Sequence, residues 1–172
     1  MKASTFIGTS LDGFIARPGG ELDFLPDEPE PHGYEEFIAS VDALVIGRKT
    51  YETVLSFGGW FYGEKPVFVL SSNELAPAPP EAVVERMSGD PKDIVAELDR
   101  RGIRHAYIDG GITVQKFQNA GLLQRLIITR VPVLIGSGIP LFGETLRDIP
   151  LKHIATRTYP SGLVQSEYEI EN

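Results

Sequence analysis

Strand-like and helix-like segments alternate along this chain as far as residue 121, and only strand-like segments follow. That order is the strongest constraint on the fold. Parallel strands need a crossover between them, and a helix is the usual one, whereas consecutive strands pair antiparallel through short turns. The pattern predicts an α/β sheet, parallel in its interior and antiparallel at its C-terminal end. Strands are expected over 2–10, 42–46 and 82–87, over PVFVLSS from Pro66 to Ser72, over HAYID ending at Asp109, and over LIITRVPVLIG from Leu126 to Gly136. Pro132 inside the last of these calls for a bulge or an edge position. Residues 151–170 divide at Tyr159-Pro160-Ser161-Gly162 into a β-hairpin.

The helices carry their own marks. Tyr34, Phe37, Ile38 and Val41 form one apolar stripe at helical spacing, and Tyr51, Val54 and Leu55 repeat it. Asp90 as cap, Pro91 as first residue and Gly102 as stop bracket a helix that turns Ile94, Val95 and Leu98 inward. Val114 and Phe117 point to a further helix ending at Gly121. With 172 residues the whole chain, 1–172, reads as one domain. A net charge of −8 argues against nucleic-acid and anionic-membrane partners, and no apolar run is long enough to span a bilayer. The absence of cysteine excludes disulfides and cysteine-bound zinc and fits a cytoplasmic protein. The start of the chain does not read as a secretory signal. The scattered His32, His105 and His153 suggest no metal site.

Ligands of such sheets gather where strands end and helices begin. In VIGRKTYE, Val45–Glu52, Gly47 lets the backbone turn and a helix starts at Arg48, Lys49 and Thr50. Free amides and two cations there read either as a phosphate seat or as a solvated helix start. In VLSS, Ser71 and Ser72 can meet a phosphate or begin a turn. In YIDGGITVQKF, Tyr107–Phe117, the adjacent Gly110 and Gly111 lead into a helix, so backbone amides can approach a pyrophosphate, or the pair makes only a tight turn.

Taken with SLDGFIA (Ser10–Ala16), VFVLSS and PVLIGSGIPLF (Pro132–Phe142), these segments resemble the dihydrofolate-reductase-like superfamily. They are most similar to the reductase domain of the bifunctional riboflavin-biosynthesis deaminase–reductases. The resemblance implies a three-layer fold, with a mixed, mostly parallel central sheet, an antiparallel C-terminal hairpin and helices on both faces. It implies NADPH as cofactor, with Gly47, Arg48, Lys49 and Thr50 at its phosphates and Ser71 and Ser72 near the 2′-phosphate. Gly110, Gly111, Ile112, Thr113 and Val114 would hold the pyrophosphate, and Ile15 and Ala16 would lie beside the nicotinamide. The implied reaction is hydride transfer to a small heterocycle or a ribosylaminopyrimidine, of the 5-amino-6-(5-phosphoribosylamino)uracil reductase type. True dihydrofolate reduction and non-catalytic nucleotide binding are the alternatives.

A catalytic acid is harder to find. The place of the pterin-binding acid of dihydrofolate reductases falls near Gly33, which cannot serve, and this weakens the folate alternative. Asp12, Asp27 and Glu36 are the candidates left, each with a plainer reading as a turn, loop or solvated acid. Replacing Gly111 by valine is expected to block the pyrophosphate and spare the fold. A homodimer is expected, because LIITRVPVLIG is apolar on both faces and calls for more cover than the helices offer.

Overall fold

The structure, a computed structural model, describes residues 1–171. Its first strand, β1 (Lys2–Ser10), lies inside an eight-stranded sheet, with a small strand β2 (Phe14–Ala16) directly after it. Then come α1 (Tyr34–Ser40), β3 (Ala43–Gly47), α2 (Arg48–Ser56), β4 (Val67–Leu70), β5 (Val84–Met87), α3 (Pro91–Arg100), β6 (His105–Asp109) and α4 (Gly111–Asn119). The chain closes with β7 (Arg125–Val131), the two-residue β8 (Ile139–Pro140), and the hairpin of β9 (Leu151–Thr158) and β10 (Val164–Ile170). The sheet order is β5-β4-β3-β6-β1-β7-β10-β9, and β2 pairs with β8 in a separate two-stranded sheet. From β5 to β7 every pairing is parallel; β10 runs antiparallel to both β7 and β9.

Side chains alternate across each strand, and the alternation divides the core in two. Ala3, Val45, Ile108 and Ile128 face Ile94 and Leu98 of α3 and Val114 and Phe117 of α4. Phe6, Leu44, Ile46, Tyr107 and Ile127 face Phe37 of α1 and Tyr51 and Val54 of α2. Helices therefore cover both faces, as the apolar runs require. The Asp90 carboxylate caps α3, accepting from the Lys92 amide at 2.9 Å, a contact worth about 1 kcal/mol.

Two expected strands end early, for local reasons. PVFVLSS stops at Leu70 because the Ser71 hydroxyl donates to the Asn73 carbonyl at 2.9 Å and closes a turn. LIITRVPVLIG stops at Val131, since Pro132 has no amide with which to continue the ladder. The argument for a dimer loses its premise here: Leu126, Ile127 and Ile128 are all buried within the one chain, between β1 and β10.

Candidate active site

The C-terminal ends of β3, β4 and β6 open onto a cleft of about 740 Å³. Helices α2 and α4 both begin there, and neither Gly47 nor Gly110, their cap residues, supplies a side-chain cap. The two helix starts touch. A Cβ on Gly110 would come within 2.5 Å of the Thr50 hydroxyl, and one on Gly47 within 3.0 Å of the Thr113 hydroxyl. Gly110 also holds φ at 95°, a conformation that favours glycine. Two uncapped helix N-termini, each with partial positive charge, thus face one opening. Arg48, Lys49 and Lys116 add full charges to the same lining. The Arg48 guanidinium is turned along its own helix toward Glu52, at 2.7 Å. An anionic, extended ligand suits this wall.

Ile15 and Ala16 of β2 form the facing wall, and Ile112 and Thr113 line the cleft beside Gly110 and Gly111. Three of the expected contacts do not. Val114 is wholly buried in the core and its amide is bonded to the Gly110 carbonyl at 2.8 Å, so neither its side chain nor its N–H is free for a ligand. Ser71 is held in its turn, and Ser72 stands outside the lining, where β4 presents Leu70 instead. Gly111 is needed for a different reason from the expected one. A Cβ there would meet the Pro140 carbonyl at 2.8 Å and the Ile139 and Ile15 side chains at 3.2 and 3.3 Å. Its missing side chain lets the β2–β8 sheet dock on α4; valine at this position would strike that sheet rather than a pyrophosphate.

None of the acids singled out in the sequence lines the cleft. The Asp12 carboxylate accepts from the amides of Ile135 and Gly136, at 3.2 and 2.8 Å, and ties the β1–β2 turn to the loop before β8. A hydrogen bond from Ser10, with help from those amides, holds its pKa below the usual carboxylate value, which suits a fastening and not a proton donor. Asp27 is exposed on the loop before α1. Glu36 is exposed on α1 and borders a separate hollow of about 490 Å³ on the far flank of that helix.

Two acids line the cleft: Glu52, paired with Arg48 on α2, and Asp109, the last residue of β6. Asp109 projects from the same face of the strand as Tyr107, two residues earlier. The carboxylate is enclosed by protein yet keeps part of its surface open to the cleft. One oxygen accepts from the Gly110 amide at 2.7 Å. Burial nonetheless pushes its pKa up to about 6. Tyrosines surround it: Tyr34 is pushed up to about 12 by burial and by the charge of Asp109, and Tyr62 and Tyr107 are raised for the same reasons. The Tyr107 hydroxyl donates to the Phe6 carbonyl at 2.7 Å, which joins β6 to β1 at the cleft floor. An acid standing at a strand end immediately before a glycine pair is the signal that could have revealed Asp109 from sequence. A group with this pKa, beside an anion-binding wall, can exchange a proton near neutral pH.

A family model described as the RibD C-terminal domain matches residues 4–165. The chain belongs to that family. Among solved structures, a Shewanella sp. PV-4 protein assigned to riboflavin biosynthesis is 38% identical, with a TM-score of 0.92 and all of both chains covered. The Bacillus subtilis (strain 168) protein YwjB is 32% identical, over 92% of each chain. The Thermotoga maritima diaminohydroxyphosphoribosylaminopyrimidine deaminase/5-amino-6-(5-phosphoribosylamino)uracil reductase is 18% identical, at a TM-score of 0.72 over 99% of this chain and 56% of that one. This chain has the dihydrofolate-reductase-like fold: it superposes on Enterococcus faecalis dihydrofolate reductase at a TM-score of 0.69 and 18% identity, covering 99% and 97% of the two chains.

Proposed function

We propose that this RibD C-terminal domain protein is an NADPH-dependent reductase acting on a small heterocyclic or ribosylaminopyrimidine-type substrate. The observation that carries the reading is the pair of uncapped helix N-termini meeting at one cleft, with Arg48 and Lys49 beside them and a high-pKa acid at its floor. The lining fits a dinucleotide. Gly47 and Gly110 leave the backbone bare where the helices meet, and the amides of residues 48–50 and 111–113 lie in the first turns of α2 and α4.

Arg48 and Lys49, with Thr50, would hold the 2′-phosphate, and Gly110, Gly111, Ile112 and Thr113 the pyrophosphate. Ile15 and Ala16 would keep water from the nicotinamide. NADPH, when bound, supplies a hydride. Asp109 then has the two tasks left to the protein: its carboxyl group orients N–H groups of the substrate and, when protonated, can give its proton to the nitrogen of the C=N bond whose carbon accepts the hydride. The phenols around it fix its surroundings, and Gly110 fixes its direction.

The test is NADPH binding, followed by its oxidation at 340 nm against a panel holding the ribosylaminopyrimidine substrate, dihydrofolate and simple imines. Binding with turnover of a heterocycle is expected. Tight binding with no turnover of any member would make the protein a nucleotide-binding module, and no binding would end the reading altogether.

A further inference from the structure

We infer that the substrate half of the cleft is built for an unphosphorylated aminopyrimidine-type heterocycle and selects against its phosphate ester. The inference rests on the reductase reading, since it supposes that the cofactor takes the basic wall. Among the described residues, the basic side chains lining the cleft are Arg48, Lys49 and Lys116, and all stand on α2 and α4. With a dinucleotide against those helices, a second phosphate needs cations of its own on the opposite side.

That side offers none. β1 contributes Phe6, Ile7 and Gly8, β2 contributes Ile15, and the loop after β2 contributes Leu22 and Leu25. Leu25 lies directly on the strand: a Cβ at Gly8 would come within 3.1 Å of it. The cavity is therefore roofed by leucine over a floor of strand and ring. Away from α2 and α4, the one charged side chain in the lining is Asp109, which when ionised repels a phosphate and attracts N–H groups. The loop that forms the roof adds more negative charge. Between residues 17 and 33 it carries Glu21, Asp23, Asp27, Glu28 and Glu30 against a single Arg17. Arg17 is already engaged, 2.6 Å from Asp23 and stacked on the Phe24 ring at 5.9 Å. Arg125 and Arg157 line the other hollow, which shares Phe6 with this cleft, and Arg125 is paired with Glu167 at 2.6 Å. A phosphate dianion entering the substrate half would lose its water among leucines and acids with no compensating partner, which is costly. A neutral, flat ring bearing amino groups loses little and gains Asp109.

The deciding measurement compares two ligands that differ only in the phosphate: 5-amino-6-(ribosylamino)uracil and 5-amino-6-(5-phosphoribosylamino)uracil. Their affinities are read by calorimetry, for the protein alone and for the protein saturated with NADP⁺. The unphosphorylated compound is expected to bind about tenfold tighter or more in the NADP⁺ complex. Equal affinity, tighter binding of the phosphate ester, or failure of the unphosphorylated compound to bind overturns the inference. NADP⁺ and NADPH affinities are measured separately on the same preparation. Their absence sinks the reductase reading itself, whereas a preference for the phosphate ester in a protein that binds NADPH sinks only the selectivity argued here.

Discussion

Replacing Asp109 by asparagine should stabilise the protein at neutral pH while impairing its function. The carboxyl is raised from 3.8 to about 6, chiefly by burial. At about 1.36 kcal/mol for each tenfold change in proton affinity, this corresponds to roughly 3 kcal/mol. The sign follows from proton counting. Between pH 4 and 6 the folded protein holds a proton that the unfolded chain has released, so stability falls as pH rises through this window. Below pH 4 both states are protonated and the burial costs nothing; above pH 6 the full cost is present. Asparagine carries no charge, and its side-chain oxygen can still accept from the Gly110 amide. The variant should thus match the parent near pH 3.8 and exceed it by about 1–3 kcal/mol at pH 8, the lower figure allowing for water reaching the carboxylate from the cleft. Urea unfolding at both pH values measures this, and a melting point several degrees higher at pH 8 would accompany it. A stability difference that does not change between the two pH values would refute the assignment of Asp109 as a buried, proton-holding acid.

Arg48→Ala should weaken NADPH binding by roughly 2- to 150-fold, from about 1.5–3 kcal/mol for a charge-assisted phosphate bond less up to about 1 kcal/mol for releasing the exposed Glu52 pair. NADH binding should hardly change, and equal losses for both cofactors would remove Arg48 from the 2′-phosphate. Gly111→Val should cost about 1–3 kcal/mol of stability by driving Pro140 and β8 away from α4; a variant that melts with the parent would show that the contact relaxes freely. Sedimentation equilibrium should find a homodimer near twice 18.9 kDa, with the edge strand β9, where Leu151 and Ile154 are exposed, as the surface to be covered; a monomer mass at all micromolar concentrations rules it out.

Where chemistry is local, the sequence was legible. Asp90, Pro91 and Gly102 mark α3 because a cap, a preset φ and a left-handed stop each act within one turn. The apolar stripes of α1 and α2 and the split of the C-terminal hairpin were readable for the same reason. The β2–β8 sheet was not. With three and two residues its strands have no period to read, and they exist because distant glycines let backbones meet: a Cβ on Gly138 would collide with the Ala16 carbonyl, and one on Gly111 with that of Pro140. The burial of β7 was equally out of reach, since its cover comes from β1, β10 and helices far away in the chain.

The site divides along the same line. Gly47, Arg48, Lys49 and the glycine pair could be read as a ligand wall because strand, glycine and helix start are consecutive in the chain. The other candidate acids lie on α1 and in loops, Glu36 near the place that a resemblance to folate reductases implies, and none of them lines the cleft. Strand geometry points to Asp109 without any such analogy. Tyr107 and Asp109 share one face of β6, and Asp109 is the last residue before the turn. A side chain there must project over the end of the sheet, beside the amides proposed to hold the cofactor. The consequence is mechanical. The acid and the anion cradle belong to one uninterrupted stretch, Asp109-Gly110-Gly111, closed by the hydrogen bond from the Gly110 amide to the carboxylate. No movement of the roof loop or of the β2–β8 sheet can change the spacing between them. Whatever opens to admit a ligand, the Asp109 carboxyl keeps its register with the glycine pair.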